Sequence, residues 1–527
     1  MHAEGINELL ESSLKKVAEG TGLVLAGTII GILLNLINTI IVVRYISVTE
    51  FGVLSLAMAV VSILGSVSLL GFQESVPRYI SYFRGSNDNA RLMGTIKASI
   101  ILSLTTGLTL SIIVFFLSCF LAHLFGKPAL IFPIKVLVFI IPTNAFTAIL
   151  VSIFRGFEDV KPKIYFQNII NHVIKLLMLG LAIILGLSFL GILFAYLTAA
   201  IGVGILIGVY SFRKIPTFIP KTTKPVPMIK GLLFFSLPLL AVIISSLIMN
   251  WTDTLMLGYF KTSDVVGLYN VALPLAMFIS IILSALAFIY TPIISYLYSK
   301  DLIKEIGKVY ASATKWIFII TFPLFLILLL FPHLILQILF GSQYVKAHMT
   351  LQILALGYFA HTLFGPNILT LLVMGKTKLI MANTLIGAII NIVFNFILIP
   401  KLGLEGAAIA STSSLFTVNI LTSYQLFKFF DIHPFKKNYL KPVGVSAVLA
   451  TVFYGVIIKF SLSDYLLLPI AGGIFMLLSL ISLPLTKSIE EEDIVILKNV
   501  IMRLDINSNS ARRILQKFSS TDTEKRP

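Results

Sequence analysis

The sequence has few charged residues, and acidic residues are the scarcest of them. Aspartate, glutamate, lysine and arginine make up 12% of the chain, about half their share in soluble proteins. The single Cys119 excludes an intrachain disulfide, and cysteine and histidine do not cluster at metal-ligand spacing. Gly375-Lys376-Thr377 resembles the end of a phosphate-binding loop, but Thr370 stands where that motif needs glycine. These absences argue against a soluble enzyme, a disulfide scaffold and a metal centre.

What the sequence does contain is a succession of long apolar segments. Hydrophobic residues make up 57% of the chain, and we count fourteen apolar stretches of sufficient length to cross a membrane as helices. The sequence therefore predicts an all-α polytopic membrane protein with about 14 transmembrane helices. Membrane glycan polymerases and ligases typically carry a large outer catalytic loop. No predicted outer connection is that long, so we expect no enzyme.

Residues of the same type recur at a constant lag of 215 positions. Asn35, Gly52, Pro77, Asn168 and Gly191 reappear as Asn250, Gly267, Pro292, Asn383 and Gly406. The lag predicts two six-helix repeats followed by two C-terminal helices without a counterpart. Because six is an even number, both repeats enter the membrane in the same direction and are parallel. Such halves usually enclose a substrate site at their interface.

The distribution of basic residues predicts the topology. Most of the 40 lysine and arginine residues lie in alternate connections and in the terminal segments, which indicates that both termini are cytoplasmic. The net charge of +17 is then a topology signal for a cytoplasmic-membrane protein rather than a nucleic-acid footprint. The predicted organisation is an N-terminal interfacial helix (1–20), an N-lobe (21–212), a cytoplasmic linker (213–230), a C-lobe (231–428), two further spans (440–486) and a cytoplasmic tail (487–527).

The fifth predicted span carries a stripe of polar side chains. Asn168, Asn171, His172 and Lys175 follow one another at spacings of three and four, which places them on one face of an α-helix. Lys175 lies ten residues past Tyr165, roughly 15 Å into the span. A lysine at that depth faces water, a carboxylate of another helix or an anionic ligand. We predict that the stripe faces a substrate cavity; the alternative is a set of structural helix–helix contacts.

Two further basic residues are candidates for the same cavity. Lys135 lies about one turn inside the outer end of the fourth span, where it either faces the cavity or extends to the interface. Arg78 follows Glu74 by four residues, a spacing that also suits an intrahelical ion pair.

The second repeat differs from the first at one copied position. Asp253 in the seventh span corresponds to Asn38 in the first, so the second repeat gains a carboxylate. Asn391 and Asn395 are four residues apart in the eleventh span and therefore share a face. Carboxylate and amide oxygens are suitable ligands for a hard cation. We predict a cation site from these three residues, with no firm metal assignment; the alternatives are a solvated Asp253 and asparagines that hold helices together.

The same part of the chain resembles a known family. The run from Asn391 to Ala410, NIVFNFILIPKLGLEGAAIA, looks like the signature of prokaryotic polysaccharide flippases, the Wzx-type branch of the multidrug/oligosaccharidyl-lipid/polysaccharide exporter (MOP) superfamily. The segment from Arg44 to Gly52 is similar to the opening of that family. Asp253 with Leu257–Tyr259, and Gly267–Tyr269, resemble its seventh and eighth spans.

The resemblance implies a fold and an activity. Its members move polyisoprenyl-(pyro)phosphate-linked oligosaccharides across the cytoplasmic membrane by alternating access, with two lobes in a V-shaped, MATE-like bundle around a cationic cavity. In the related lipid II flippases an aspartate of the seventh span and a pair of residues in the eleventh help to bind sodium. Asp253, Asn391 and Asn395 occupy similar places, although the second residue of that pair is acidic there.

These observations set the functional expectations. We expect a flippase for surface polysaccharide or glycoconjugate assembly that acts as a monomer on a lipid-linked oligosaccharide among membrane lipids, without a cofactor and with Na⁺ or H⁺ as candidate coupling ions. Glycan polymerases and glycosyltransferases are candidate partners, and nucleic acid is not. The alternatives are a cation-coupled multidrug exporter of the MATE type, disfavoured by the basic first half, and a membrane scaffold for glycan-assembly enzymes.

Overall fold

The computed structural model describes Val24, residues 26–218 and 224–434, and single positions at 444, 448, 451, 455 and 473. These residues form helices and turns and contain no strand. The first half of the chain contributes six long helices: α1 (Ala26–Tyr45), α2 (Val48–Gly85), α3 (Asn89–Leu124), α4 (Pro128–Gly156), α5 (Lys163–Ile184) and α6 (Phe189–Thr217). The second half contributes α7 (Ile229–Phe260), α8 (Ser263–Met277, continued by Ile281–Ser299), α9 (Ile303–Leu330, continued by Pro332–Phe340), α10 (His348–Leu363, continued by Asn367–Val373), α11 (Thr377–Leu402) and α12 (Leu404–Phe430).

The helices lie where the sequence predicts the first twelve spans. Within the described residues, eleven helices are long and apolar enough to cross a membrane, and α7, at 32 residues, covers the position of the predicted seventh span. The prediction of an all-α, multi-pass membrane fold is confirmed. The predicted interfacial helix (1–20), the last two spans and the tail lie outside the described residues, apart from the single positions after 434.

Helix α2 shows how local sequence sets the boundaries of a helix. Ser47 caps its N-terminus in a capping box, in which the Glu50 carboxylate accepts from the Ser47 backbone N–H at 2.9 Å. The helix is interrupted at Leu70 and Gly71, which both adopt positive φ angles. A Cβ atom at Gly71 would lie 2.4 Å from the Ser236 carbonyl oxygen. Glycine is therefore required at this break because α7 crosses there.

Helix α7 belongs to the second half by sequence but contacts both halves. Near its start, the Ser236 hydroxyl lies 2.5 Å from the hydroxyl of Ser75 on α2, and Tyr79 donates to the Gly231 carbonyl at 3.2 Å. The segment before α7 is also attached to the first half, because the Val226 N–H donates to the Ala90 carbonyl at 3.0 Å. At its far end α7 contacts α8 and α11 of the second half through Asp253, and Gly258 lies against Leu56 on α2. A relative movement of the two halves would therefore involve α7.

The two halves make a close and symmetric contact between α2 and α8. A Cβ atom at Gly52 would lie 1.7 Å from the Ser263 carbonyl oxygen, and one at Gly267 would lie 2.4 Å from the Val48 carbonyl oxygen. Gly267 is the copy of Gly52 at the lag of 215 residues, and Ser263 is the copy of Val48. The repeat inferred from sequence is thus visible as a reciprocal pair of backbone contacts. Both contacts lie near the end of the bundle that contains Arg44, which we call the Arg44 end; the opposite end, with Lys163, is the Lys163 end.

Two basic side chains of the first half also bind the second half at the Arg44 end. The Arg44 guanidinium donates to the carbonyl of Leu339 at 2.8 Å and to that of Ile338, in the last turn of α9. The Lys127 ammonium donates to the carbonyls of Lys261 at 2.7 Å and of Gly258, where α7 ends. Cations are favourable at helix C-termini because the last carbonyls have no intrahelical partner and the helix dipole is negative there. We call these two contacts the Arg44 and Lys127 clamps.

The Lys127 clamp lies in the connection between α3 and α4. Burial lowers the pKa of the Lys127 ammonium, and the nearby Asp264 carboxylate partly offsets that effect. A third basic residue, Lys261, makes a similar contact with the Pro400 carbonyl at 2.9 Å, but both partners belong to the second half. Lys261 therefore provides a matched comparison for contacts that join the two halves.

Removal of the clamps is expected to loosen the Arg44 end. We expect Arg44→Gln with Lys127→Gln to weaken closure because charged hydrogen bonds contribute about 1.5–3 kcal/mol each. The measurement is the rate at which a maleimide modifies Ser263→Cys, a buried position, in a Cys119→Ser background. The rate should rise several-fold in the double variant and stay unchanged in Lys261→Gln. Equal rates in all three proteins would show that the clamps do not hold this end closed.

Candidate functional site

The candidate site in the second half is built around Asp253 on α7. Its side chain is buried, with 3% of its surface exposed, although it lies only seven residues before the end of the helix. The alternative of a solvated Asp253 is therefore wrong. Neighbouring helices enclose this position, and a carboxylate in such a place needs hydrogen-bond donors or a cation.

The structure brings the three predicted cation-site residues together. The Oδ1 atom of Asp253 accepts hydrogen bonds from Asn391 at 3.0 Å and from Asn395 at 2.6 Å, both on α11. Its Oδ2 atom accepts from the hydroxyls of Tyr269 on α8, at 2.6 Å, and of Ser411 on α12. One carboxylate thus connects four helices of the second half. Neither Tyr269 nor Ser411 is predicted from the sequence as a site residue, because a single tyrosine or serine in a span does not indicate a site.

The oxygen atoms around Asp253 are the kind that bind hard cations. Two amides and two hydroxyls donate to the carboxylate, the Asn391 Oδ1 atom accepts from Asn395 at 3.1 Å, and the Oδ1 atom of Asn395 has no partner among the described residues. The described residues contain no group of three or more histidine, cysteine or acidic side chains that could bind a transition metal. A half-turn of the Asn395 amide would direct its oxygen rather than its nitrogen toward the carboxylate. Such a donor set suits a monovalent or other weakly held cation.

The first half contains a neutral counterpart of this cluster. Asn38, the copy of Asp253, is 1% exposed and donates to the carbonyls of Leu34 at 2.9 Å and His172 at 3.1 Å. Its Oδ1 atom has no hydrogen-bond partner among the described residues. The copy of Ser411 is Tyr196, and the Lys175 ammonium lies 4.3 Å from the centre of its ring. In the first half a lysine therefore lies beside the residue that corresponds to Ser411 of the carboxylate cluster.

The predicted stripe on the fifth span does not face a single cavity. Residues Lys163–Ile170 form a π-helix, and the α-helix begins only at Asn171, so the assumed α-helical register does not hold. Asn168 donates to the Thr28 hydroxyl on α1 at 3.3 Å, Asn171 lines a cavity, and Lys175 packs on Tyr196. The Nδ1 atom of His172 is buried without a partner among the described residues.

The remaining two basic candidates lie against aromatic rings. The Lys135 ammonium lies 5.4 Å from the ring centre of Phe115 on α3. The Arg78 guanidinium lies 4.2 Å from the ring centre of Phe235 on α7. Glu74 pairs with Arg155 on α4 at 2.6 Å, and not with Arg78 as the sequence spacing suggests. The reason is that α4 passes beside α2, so a partner from another helix is available.

Two cavities in the described part of the chain open near α5. The first-half cavity, of about 320 Å³, lies between α2, α4, α5 and α6 and includes Asn171 in its lining. The interhalf cavity, of about 710 Å³, lies between α1 and α5 of the first half and α8 and α10 of the second, and Lys163 and His361 line it. Of the six predicted substrate residues, Asn171 lines the first cavity, and the other five are not among the residues that line either one.

Two lysines at unexpected positions were not predicted as site residues. Lys163 and Lys315 both lie near the ends of apolar runs. Lys163 lines the interhalf cavity, and Lys315 lies twelve residues inside α9 with 2% of its surface exposed. The boundary of a predicted span is uncertain by several residues, so a lysine near it can lie on either side.

Neutralisation of Asp253 is expected to destabilise the second half. In Asp253→Asn the four surrounding donors no longer have a charged acceptor. A buried donor without an acceptor lowers the free energy of unfolding by about 1–3 kcal/mol. The measurement is the thermal unfolding temperature of the purified protein in detergent, with Asp301→Asn as a control because Asp301 is exposed. The variant should unfold at a lower temperature than wild type and the control should not. Unchanged unfolding of Asp253→Asn would show that the cluster does not depend on the charge.

Comparisons with known proteins find families and solved structures that this chain resembles. A family model described as "Polysaccharide biosynthesis protein" matches residues 17–298, and the MatE model matches residues 238–397. Among solved structures, an inward-facing MATE multidrug transporter of the MOP superfamily superposes with a TM-score of 0.65 at 18% identity, covering 76% of this chain and 94% of that one. The lipid II flippase MurJ, in an inward closed conformation, superposes with a TM-score of 0.64 at 15% identity, covering 86% and 97%. At these identities the structures show the fold alone.

Curated relatives match over shorter ranges. The chain is 27% identical over 214 residues to the probable low-salt glycan biosynthesis flippase Agl15 of Haloferax volcanii, which covers 40% of this chain and 44% of the relative. It is 30% identical over 252 residues to the probable multidrug resistance protein NorM of Bacillus cereus, covering 44% and 52%. The chain thus spans about half the length of the curated relatives that it matches. The named relatives and structures are transporters rather than enzymes, as predicted.

The first family match decides the classification. It spans more than half of the 527 residues. The chain belongs to the polysaccharide biosynthesis protein family.

Proposed function

We propose that the protein is a flippase that moves a polyisoprenyl-(pyro)phosphate-linked oligosaccharide across the cytoplasmic membrane by alternating access. The observation that carries the proposal is the interhalf cavity, because it combines an apolar lining with an ammonium group. Leu283, Ala287 and Ile368 are among its apolar residues, and Lys163 is its basic one. An anionic lipid carrier needs both an apolar surface and a cation.

Alternating access follows from how the halves are joined. In this proposal the Lys163 end is cytoplasmic and the two halves act as lobes. The α2–α8 contact and the two clamps close the Arg44 end, so the interhalf cavity is accessible from the other side. Opening toward the outer leaflet requires the clamps to break and α7 to change its contacts with the first half. The relative Agl15 supports the glycan part of the proposal through its printed name.

Lys163 provides the test of substrate binding. Proteoliposomes would contain a fluorescent polyprenyl diphosphate N-acetylglucosamine, and a membrane-impermeant quencher would report how much of it reaches the outer leaflet. We expect wild type to move the lipid and Lys163→Met to slow the initial rate at least several-fold, because a cation that holds phosphate is lost. Lys161→Met is the control, because Lys161 is an exposed basic residue two positions away that does not line the cavity. No movement by wild type would refute the flippase proposal, and an equal loss in both variants would refute the role of Lys163.

We further propose that the Asp253 cluster binds a coupling cation. A cation that binds the folded protein but not the unfolded chain raises the unfolding temperature, by an amount that grows with the logarithm of its concentration relative to Kd. We expect Na⁺, compared with choline at equal ionic strength, to stabilise wild type, to have no effect on Asp253→Asn, and to have a larger effect on Asn395→Asp, which adds a second carboxylate. Asp301→Asn should respond like wild type. If Asp253→Asn responds to Na⁺ as wild type does, the cluster is not the cation site.

A cation-coupled multidrug exporter is the second candidate. It is favoured by the NorM relatives and by the MatE match over residues 238–397, which include Asp253. The first-half and interhalf cavities oppose it, because neither of these two is lined by an acidic side chain that could bind a cationic drug. Export of ethidium by proteoliposomes that do not move the lipid-linked sugar would favour this candidate over the flippase.

A further inference from the structure

We propose that the first-half cavity is a binding subsite for an uncharged sugar ring, the one attached directly to the phosphate of the lipid carrier. This inference rests on the flippase proposal and extends it to a specific site. The cavity is lined by seven uncharged hydrogen-bonding side chains, and no charged residue of the described chain lines it. The polar residues are Ser62, Ser66, Gln73, Asn144, Thr147, Gln167 and Asn171. Its volume of about 320 Å³ lies at the lower end of the range for ligand pockets.

The amide groups of this cavity are available to a ligand. The side chains of Gln73, Asn144, Gln167 and Asn171 make no hydrogen bond with the described residues. The buried asparagines of the described chain do donate to protein partners: Asn383, for example, donates to Thr422 at 3.1 Å and to Gln425 at 2.8 Å. Polar groups within a membrane bundle are normally paired in this way, because an unsatisfied group is costly there.

The chemistry of these side chains matches that of a sugar. Each amide offers two donor hydrogens and an acceptor oxygen, and each serine or threonine hydroxyl both donates and accepts. A sugar hydroxyl also donates and accepts, so a ring of such groups can satisfy it from several directions. The apolar part of the lining includes Phe166, which is 7% exposed, and Val203, which is 3% exposed. These residues provide surface for the C–H face of a sugar ring.

The location of the cavity fits the first sugar of a lipid-linked glycan. Phe166 and Gln167 line the first-half cavity, while Lys163 lines the interhalf cavity, and all three lie on the π-helical segment Lys163–Ile170. Lys163 and Gln167 are four residues apart, so they are separated along the helix by no more than about 6 Å. That is about the distance from a phosphate to the ring that it carries. The π-helical segment therefore contributes lining residues to both cavities within about one turn.

The absence of charge from the lining predicts selectivity. A carboxylate on the sugar would have to be buried without a cation, which is costly in a site of low dielectric constant. A neutral ring has no such cost. The subsite should therefore favour neutral sugars over uronic acids, while the phosphate is bound by Lys163 outside it.

The experiment measures the binding of three probes to the purified protein by microscale thermophoresis: farnesyl methyl phosphate, farnesyl phosphoglucose and farnesyl phosphoglucuronic acid. The first two carry the same charge and differ only in the sugar. We expect wild type to bind the glucose probe about tenfold more tightly than the methyl probe, equivalent to one or two net hydrogen bonds. The glucuronic acid probe should show no such gain.

Variants locate the gain in the cavity. Gln167→Met with Asn171→Leu should abolish the gain from glucose and leave the affinity for the methyl probe unchanged, whereas Lys163→Met should weaken binding of all three probes. Asn168→Leu, on the same helix but with its amide on Thr28, is the control and should retain the gain. Asn144→Leu, an exposed position, tests the same cavity if the double variant unfolds.

The outcomes separate the two proposals. If wild type binds the methyl probe without any gain from glucose, or if the cavity variants retain the gain, the sugar subsite is refuted and the flippase proposal is untouched. An equal gain from glucuronic acid would also refute the subsite, because its neutrality would not matter. If wild type binds none of the probes, both proposals fail.

Discussion

The low polarity of a membrane interior is the constraint on which this structure depends. Water is scarce there, so every backbone amide must be paired within its own helix, which explains the long helices found throughout the described chain. The same constraint applies to side chains. Each polar group within the bundle must find a partner in the protein or face a cavity. The Asp253 carboxylate meets this requirement because four donors surround it. The uncharged polar side chains of the first-half cavity meet it because they face the cavity.

The parts of the site that could be predicted from sequence are those whose chemistry is rare in a membrane. A single aspartate and an asparagine pair at helical spacing stand out against apolar spans, and the structure brings Asp253, Asn391 and Asn395 into contact. Their hydroxyl partners could not be predicted, because serine and tyrosine are frequent in spans and pair with nearby carbonyls in many places. Which hydroxyl reaches the carboxylate depends on how the helices cross, and a single sequence does not contain that information.

The fold was more predictable than the direction in which side chains point. Hydropathy located the helices, and the lag of 215 residues revealed the repeat that appears as the reciprocal contacts of Gly52 and Gly267. Prediction failed on α5, where the spacing of Asn168, Asn171 and Lys175 assumes an α-helix throughout. A π-helical turn places about one extra residue in each turn and rotates the side chains that precede it relative to those that follow. The π-helix therefore separates Asn168, which contacts α1, from the residues that follow it. Asn171 and Lys175 share one α-helix but lie a turn apart along it, so they reach different neighbours, the first-half cavity and Tyr196.

The comparison of the two repeats suggests why a duplicated fold can act in one direction. Asn38 and Asp253 occupy equivalent positions. The charge of the Asp253 carboxylate is neutralised only when a cation or a proton binds, whereas the positive group of the first half, Lys175 against Tyr196, is part of the chain and cannot leave as a bound metal ion does. An ion that enters and leaves at Asp253 would change the charge of one half alone. Because α7 carries Asp253 and packs against α2 near both of its ends, that change acts on a helix that contacts both halves.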